Sequence, residues 1–194
     1  MTLTFYFAPY SAAVGTQAVL AELDIPHEVK TLKLGADGDT KSAEFLAINP
    51  NGTVPTIVHD GTPIFESAAI VIYLGETFGV DKGLFPAAGS PQRGVAIQWI
   101  VWATIVLDGG ARNMMVPDTK ERGTETVAKA LRILDGVFGK DDYLVGQQYT
   151  LADTHLSSIV HWVQMLQVDF DPFPNLQRWI GRLDTRPALR KLRA

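Results

Sequence analysis

Apolar residues alternate at the start of the chain. Leu3, Phe5 and Phe7 share one side of LTFYF, the period-two pattern of a strand. Pro9 ends it, and Ser11 precedes an Ala-, Val- and Leu-rich run over 12–23 that predicts a helix closed by Asp24 and Pro26. A weaker strand is expected near His27–Leu34, then a loop over 35–42, a helical turn over Ala43–Ile48 and the turn Asn49-Pro50-Asn51-Gly52. Val54–Val58 and Pro63–Phe65 flank Asp60-Gly61, the signal of a tight hairpin. Glu66-Ser67 then opens an apolar helix over Ala68–Phe78. The order β-α-β-α-β-β-α predicts a partly parallel sheet with helices packed on it.

Phe78–Arg93 is rich in Gly and Pro and predicts a linker. Beyond it the period is helical throughout. Ser90-Pro91 is a cap and first-turn pair for a helix running to about Met115, which Pro117 ends. Asp118 or Thr119 can cap a second helix to about Phe138, Thr150 a third, and shorter ones are expected over Pro174–Asp184 and after Pro187. The expected division is an α/β domain over 1–79, a linker over 80–90 and an all-helical domain over 91–194.

Composition narrows the chemistry. With 194 residues and 46% hydrophobic content, the chain can bury a core without staples. The net charge of −4 and the lack of a long basic block argue against nucleic acid as a partner. Arg182, Arg186, Arg190, Lys191 and Arg193 have the spacing of a solvated helix face. The absence of cysteine excludes disulfides, cysteine-based zinc sites and a protein thiol nucleophile. His155 and His161 have no evident metal partners, so no metal is expected. The start MTLTFYFAPYS shows no signal-peptide pattern, and the apolar stretches are expected to break before the ~20 residues of a membrane span, so a cytoplasmic protein without membrane contact is expected.

Residues 49–74, NPNGTVPTIVHDGTPIFESAAIVIYL, carry the most specific pattern: Asn-Pro, Gly, Val-Pro, Asp-Gly, Glu-Ser, then an apolar helix with Tyr-Leu. YTLADTHLSSIVHW (149–162) and PNLQRWIGRLDTRP (174–187) follow. Together they resemble the cytosolic glutathione S-transferases over roughly residues 3–187, nearest the bacterial beta group with theta-like features. The resemblance implies a thioredoxin-like first domain with a mixed four-stranded sheet, an all-helical second domain and a homodimer. It also implies glutathione as co-substrate on the first domain and a small hydrophobic electrophile between the two.

Val54-Pro55 resembles the family's cis-proline, which would leave the Val54 N–H and C=O to pair with the cysteinyl backbone of the tripeptide. A proline that merely ends an edge strand is the plain alternative. Ser67 and the helix-start N–H groups suit the γ-glutamyl carboxylate, and Glu66 suits its ammonium; capping alone is the alternative. Thr53 could add one hydrogen bond. Ser11 stands where the family faces the sulfur, in place of the beta-group cysteine. A hydroxyl donor and the helix dipole would help hold a thiolate, although Ser11 could simply cap the helix. Tyr10 ranks second as the sulfur donor and Tyr6 third. The beta-group lysine for the glycyl carboxylate has no aligned counterpart, with Lys33 and Lys41 nearby. Thr150 and Asp153 predict a capping box, with a staple from Tyr149 to the Thr154 methyl. Tyr10, Trp102, Arg112, Met114, Met115 and Trp162 are candidates for the electrophile site, or else core. The expected activity is conjugation of glutathione to electrophiles. The alternatives are a regulatory protein of the stringent-starvation type that contacts RNA polymerase, and a glutathione-dependent disulfide oxidoreductase.

Overall fold

The alternation in LTFYF becomes β1 (Leu3–Phe7), whose Leu3 and Phe5 enter the core while Tyr6 packs on the other face against Phe45. The computed structural model describes residues 2–193, with side chains through residue 190. Helix α1 (Ala13–Leu23) follows and ends where Asp24 turns left-handed at φ 46°. Strand β2 (Glu28–Thr31) lies parallel to β1, with Thr4 opposite Glu28 and Phe7 opposite Thr31. It is shorter than the sequence predicts, because the Asp39 carboxylate accepts the Lys33 N–H at 2.8 Å and draws the chain into a loop. Ser42 caps α2 (Ala43–Ile48) by accepting the Phe45 N–H at 3.2 Å.

Strands β3 (Thr56–His59) and β4 (Thr62–Phe65) form the hairpin expected at Asp60-Gly61, with both turn residues at positive φ (46° and 82°), as a type I′ turn requires. The sheet order is β2-β1-β3-β4, parallel between β1 and β2 and antiparallel elsewhere. Helix α3 (Ser67–Leu74) continues through a π-type turn to Gly79. This is a thioredoxin-like domain.

The segment expected to be a linker is anchored. Phe85 is 2% exposed and lies so close to Gly75 that a Cβ there would stand 2.5 Å from its ring. The Leu84 carbonyl accepts the Leu151 N–H at 2.9 Å. Helices α4 (Pro91–Trp102) and α5 (Gly109–Met114) join through a π-type segment, Ala103–Asp108, into one rod. Contrary to the expectation of broken apolar stretches, the rod Pro91–Met114 reaches membrane-span length, with a mean hydropathy of 1.4 over its best window. Within the fold it packs on α3, α6 and α7. Helices α6 (Lys120–Phe138), α7 (Leu151–Met165), α8 (Pro174–Leu183) and α9 (Pro187–Arg193) complete the helical domain.

Helix α7 is the axis of the molecule. Residues 151–157 are all buried, and it packs on α1 on one side and on the rod on the other. Asp153, fully buried, accepts from Leu144 N (2.9 Å), Thr150 N (3.0 Å), the Thr150 hydroxyl (3.2 Å) and Trp179 Nε1 (3.2 Å). The expected capping box is therefore also a junction with α8. Tyr149 and Thr154 do meet, through a bond of 2.6 Å between their hydroxyls.

Two residues of the basic C-terminal stretch, Arg182 and Arg186, make ion pairs within the fold. Arg186 grips Glu22 of α1 through two bonds of 2.8 and 2.6 Å and lies 3.6 Å above the Tyr149 ring. Arg182 pairs with Asp142 at 2.9 Å. Arg190 is exposed, and the side chains of Lys191 and Arg193 lie outside the described residues.

Candidate active site

Strand register brings the candidate residues to one end of the sheet. Thr56 opens β3 opposite Tyr6 near the end of β1 and opposite Phe65 at the end of β4. The segments leaving that end are the Ala8–Ser11 loop, Val54-Pro55 and Glu66-Ser67.

The Val54–Pro55 bond is cis. Val54 lies outside the ladder, and neither its N–H nor its C=O makes a backbone hydrogen bond among the described residues. The loop before it is braced by Asn49, to whose side chain sequence reasoning gave no role. Asn49 is fully buried, and its Nδ2 donates to Thr53 O and to Thr56 Oγ1, each at 2.9 Å. Its Oδ1 accepts the Asn51 N–H at 3.0 Å. Thr53 is exposed at this rim, its carbonyl also held by the Thr56 hydroxyl at 3.0 Å. Lys41 reaches the same loop, with Nζ 3.4 Å from the Gly52 carbonyl. Lys33 is exposed, with no such contact.

Glu66 departs furthest from ordinary backbone geometry. It precedes α3 at φ 69°, ψ 119°, a combination costly for any residue with a Cβ. It is exposed, and its carboxylate makes no hydrogen bond or ion pair among the described residues. No side chain caps α3, so its first-turn N–H groups stay open beside the half-buried Ser67. An acceptor for a cation thus stands beside an uncapped helix start that favours an anion.

Ser11 is half-buried before α1. Its Oγ donates to the Ala8 carbonyl at 2.6 Å and accepts the Ala13 N–H at 3.2 Å. The helix-capping geometry is therefore present, and the hydroxyl proton points at Ala8. Tyr10 is 89% exposed at φ 56°. Tyr6 is 8% exposed, its ring between Phe45 and Lys30, and is the least available of the three as a donor.

The electrophile-site candidates separate by burial. Trp102, Met114 and Trp162 are half-buried against the core, and Trp102 meets Trp99 edge-on at 5.2 Å. Arg112 is exposed and bound to Asp108 at 2.8 Å, and Met115 is 60% exposed. Sequence reasoning passed over Val101 (36% exposed), whose only signal is its place one turn from Ile105 (69%). Among the described residues, no cluster of His, Cys, Asp or Glu could hold a metal.

Residues 11–77 match the glutathione S-transferase N-terminal domain and residues 112–187 the C-terminal domain. Glutathione S-transferase GstB of Escherichia coli K12 is 30% identical over 187 residues, which cover 89% of this chain and 88% of that protein. The chain belongs to the glutathione S-transferase family. The family fold extends over nearly all of the described chain. BphK, a bacterial glutathione S-transferase solved as a ternary complex, superposes with a TM-score of 0.88 at 25% identity, covering 97% and 96% of the two chains. A glutathione transferase homologue from Lodderomyces elongisporus, solved with two glutathione molecules per subunit, shares the fold with a TM-score of 0.89 at 23% identity, covering 99% and 97%.

Proposed function

We propose that the protein conjugates the glutathione thiolate to small hydrophobic electrophiles. The observation that carries this reading is Glu66: a strained, exposed and unpaired carboxylate beside an uncapped helix start, at the sheet end that also holds the cis Val54–Pro55 turn. Glu66 takes the γ-glutamyl ammonium, while Ser67 and the α3 N–H groups take its carboxylate. Val54 pairs with the cysteinyl amide and carbonyl, and Thr53 adds a bond at the rim. Lys41, already at the Gly52 carbonyl, swings to the glycyl carboxylate, the role of the family lysine.

Ser11 supplies the sulfur donor. Holding a thiolate at neutral pH means lowering a thiol pKa of about 8.5 by ~2 units, roughly 2.7 kcal/mol. One hydroxyl bond to an anion plus a helix start is of that size. To donate, the Ser11 O–H must rotate away from Ala8, leaving Oγ between the Ala13 N–H and the sulfur. Catalysis is then thiolate generation plus proximity. The test is ultraviolet thiolate absorbance of the glutathione complex against pH. Ser11→Ala should move the midpoint up toward the free-thiol value, and Tyr10→Phe should leave it in place. A shift only in Tyr10→Phe would pass the role to Tyr10.

We also propose a homodimer, a division at 1–79, 80–90 and 91–194, and a cytoplasmic location beside the glutathione pool. The dimer reading is supported by Val95, Val101 and Ile105 on the rod, exposed at 37%, 36% and 69%.

A further inference from the structure

The end of the sheet opposite the proposed glutathione site holds a second group of polar side chains. Strand β3 runs from Thr56 at the site end to His59, which lies opposite Leu3 at the start of β1. The His59 side chain is 13% exposed, and its ring packs against Tyr73 of α3 and against Phe78, with centroids 5.9 and 5.6 Å away. Its Nδ1 lies 2.6 Å from the Tyr73 hydroxyl. Its Nε2 is buried, makes no hydrogen bond and faces the Asp60 carboxylate at 3.7 Å. The other Asp60 oxygen accepts the Thr2 N–H at 2.8 Å and the Thr2 hydroxyl at 3.2 Å.

These contacts fix the protons. A bare Nε2 would turn its lone pair towards a carboxylate, so the neutral ring carries its proton there. Nδ1 is then the acceptor, and the Tyr73 O–H donates to it. The Asp60 carboxylate stays ionised, because the Thr2 N–H holds its pKa below the ordinary carboxylate value. It therefore favours any positive charge that develops on the ring. A phenol, a base within hydrogen-bond reach and an anion behind that base are the parts of an activated oxygen nucleophile. Tyr73 is half-buried, whereas Tyr6 and Tyr149 are sealed in the core at 8% exposure each.

We propose that Tyr73 is an acylation site, with His59 as its general base and Asp60 as a positioning residue. The ligand class is a small activated acyl compound, whose carbonyl carbon carries a leaving group. Tyr73 Oη bonds to that carbon as the bond to the leaving group breaks. The phenol proton passes to His59 Nδ1 and from there to the leaving group. The products are an O-acyl tyrosine and the protonated leaving group. The imidazolium formed on the way lies between Oη and the Asp60 carboxylate. Glutathione takes no part, so the site does not depend on the transferase reading.

The probe is N-acetylimidazole, which acetylates a phenol oxygen and releases imidazole. Acetylation of each tyrosine is timed by peptide mass spectrometry, without glutathione, in wild type, His59→Gln and Asp60→Asn. Tyr10, 89% exposed, is the unassisted phenol in the same molecule. Accessibility alone would make Tyr10 the faster. With its base in place, Tyr73 should instead be at least ~tenfold faster than Tyr10, a conservative share of what a positioned base supplies. His59→Gln, whose amide oxygen can still accept the Tyr73 O–H but cannot take its proton, should bring Tyr73 down to the Tyr10 rate or below. Asp60→Asn, which suits the same left-handed turn, should slow Tyr73 several-fold. A Tyr73 no faster than Tyr10 in folded wild type overturns the proposal with no variant needed. So does a lead that persists in unfolding urea, which would belong to the local sequence. An unchanged Tyr73 rate in His59→Gln also overturns it and leaves the His59–Tyr73 bond as a tie between β3 and α3, while an unchanged rate in Asp60→Asn overturns the role of Asp60.

Discussion

Burial of His155 makes the stability of the fold depend on pH with a sign that can be worked out in advance. Desolvation lowers its pKa from 6.5 to about 4. Below pH 6.5 the unfolded chain takes a proton on this residue that the folded chain refuses. The contribution is therefore fully present above 6.5 and is lost as pH falls towards 4. At ~1.4 kcal/mol per pH unit, the whole loss is about 3 kcal/mol. Asp153, two residues earlier, opposes it. Burial raises that carboxyl to about 6 despite its four donors, so its contribution is present below 3.8 and is lost as pH rises through about 6. The two contributions therefore oppose one another across this interval. The variant His155→Gln removes one side of the balance. Urea unfolding of both proteins between pH 4 and 6.5 gives the difference directly, with every other titration cancelled. The gap in unfolding free energy should be widest at pH 6.5 and narrow by about 3 kcal/mol toward pH 4. A gap that stays constant would show that His155 titrates as in water, and would refute its burial.

Other perturbations isolate other parts of the structure. Glu66→Gly should raise stability by about 1 kcal/mol by relieving the positive φ, while weakening glutathione binding by ~1.5–3 kcal/mol; thermal unfolding and calorimetry on one sample check both, and an unstrained Glu66 would show no gain. Arg186→Leu leaves the Glu22 carboxylate, 6% exposed, with no cationic partner and only the Tyr149 hydroxyl at 3.0 Å as donor. It should cost about 3 kcal/mol in urea unfolding, and a cost below ~1 kcal/mol would mean the pair is solvated. Gly123→Ala would place a Cβ 2.5 Å from the Met114 backbone nitrogen. It should lower the melting temperature by several degrees, about 2 kcal/mol, whereas Gly136→Ala, which meets nothing, should raise it slightly.

Local signals in the sequence carried far. The Asp60-Gly61 hairpin, the Ser90-Pro91 start and the Thr150–Asp153 box are each decided within a few residues, and each forms as the pattern predicts. The sheet end was legible through the Val-Pro and Glu-Ser pairs, because the hairpin between them is short enough to set their register. What depends on distant partners was not legible. Helical spacing gave Arg186 a solvent face, yet its partner Glu22 is 164 positions away. Asn49 looked like an ordinary turn residue, and only the folded loop shows it holding Thr53 and Thr56. His155 was weighed only as a metal ligand, since its environment is created by three helices meeting.

The most direct test of the central claim is calorimetric titration of glutathione into the wild type and Glu66→Ala. Wild type should bind in the micromolar to low-millimolar range, roughly 4–8 kcal/mol, and Glu66→Ala should lose ~1.5–3 kcal/mol of that through one charge-assisted bond. Folded wild type giving no heat with millimolar glutathione, or binding it no more tightly than Glu66→Ala, would contradict the account.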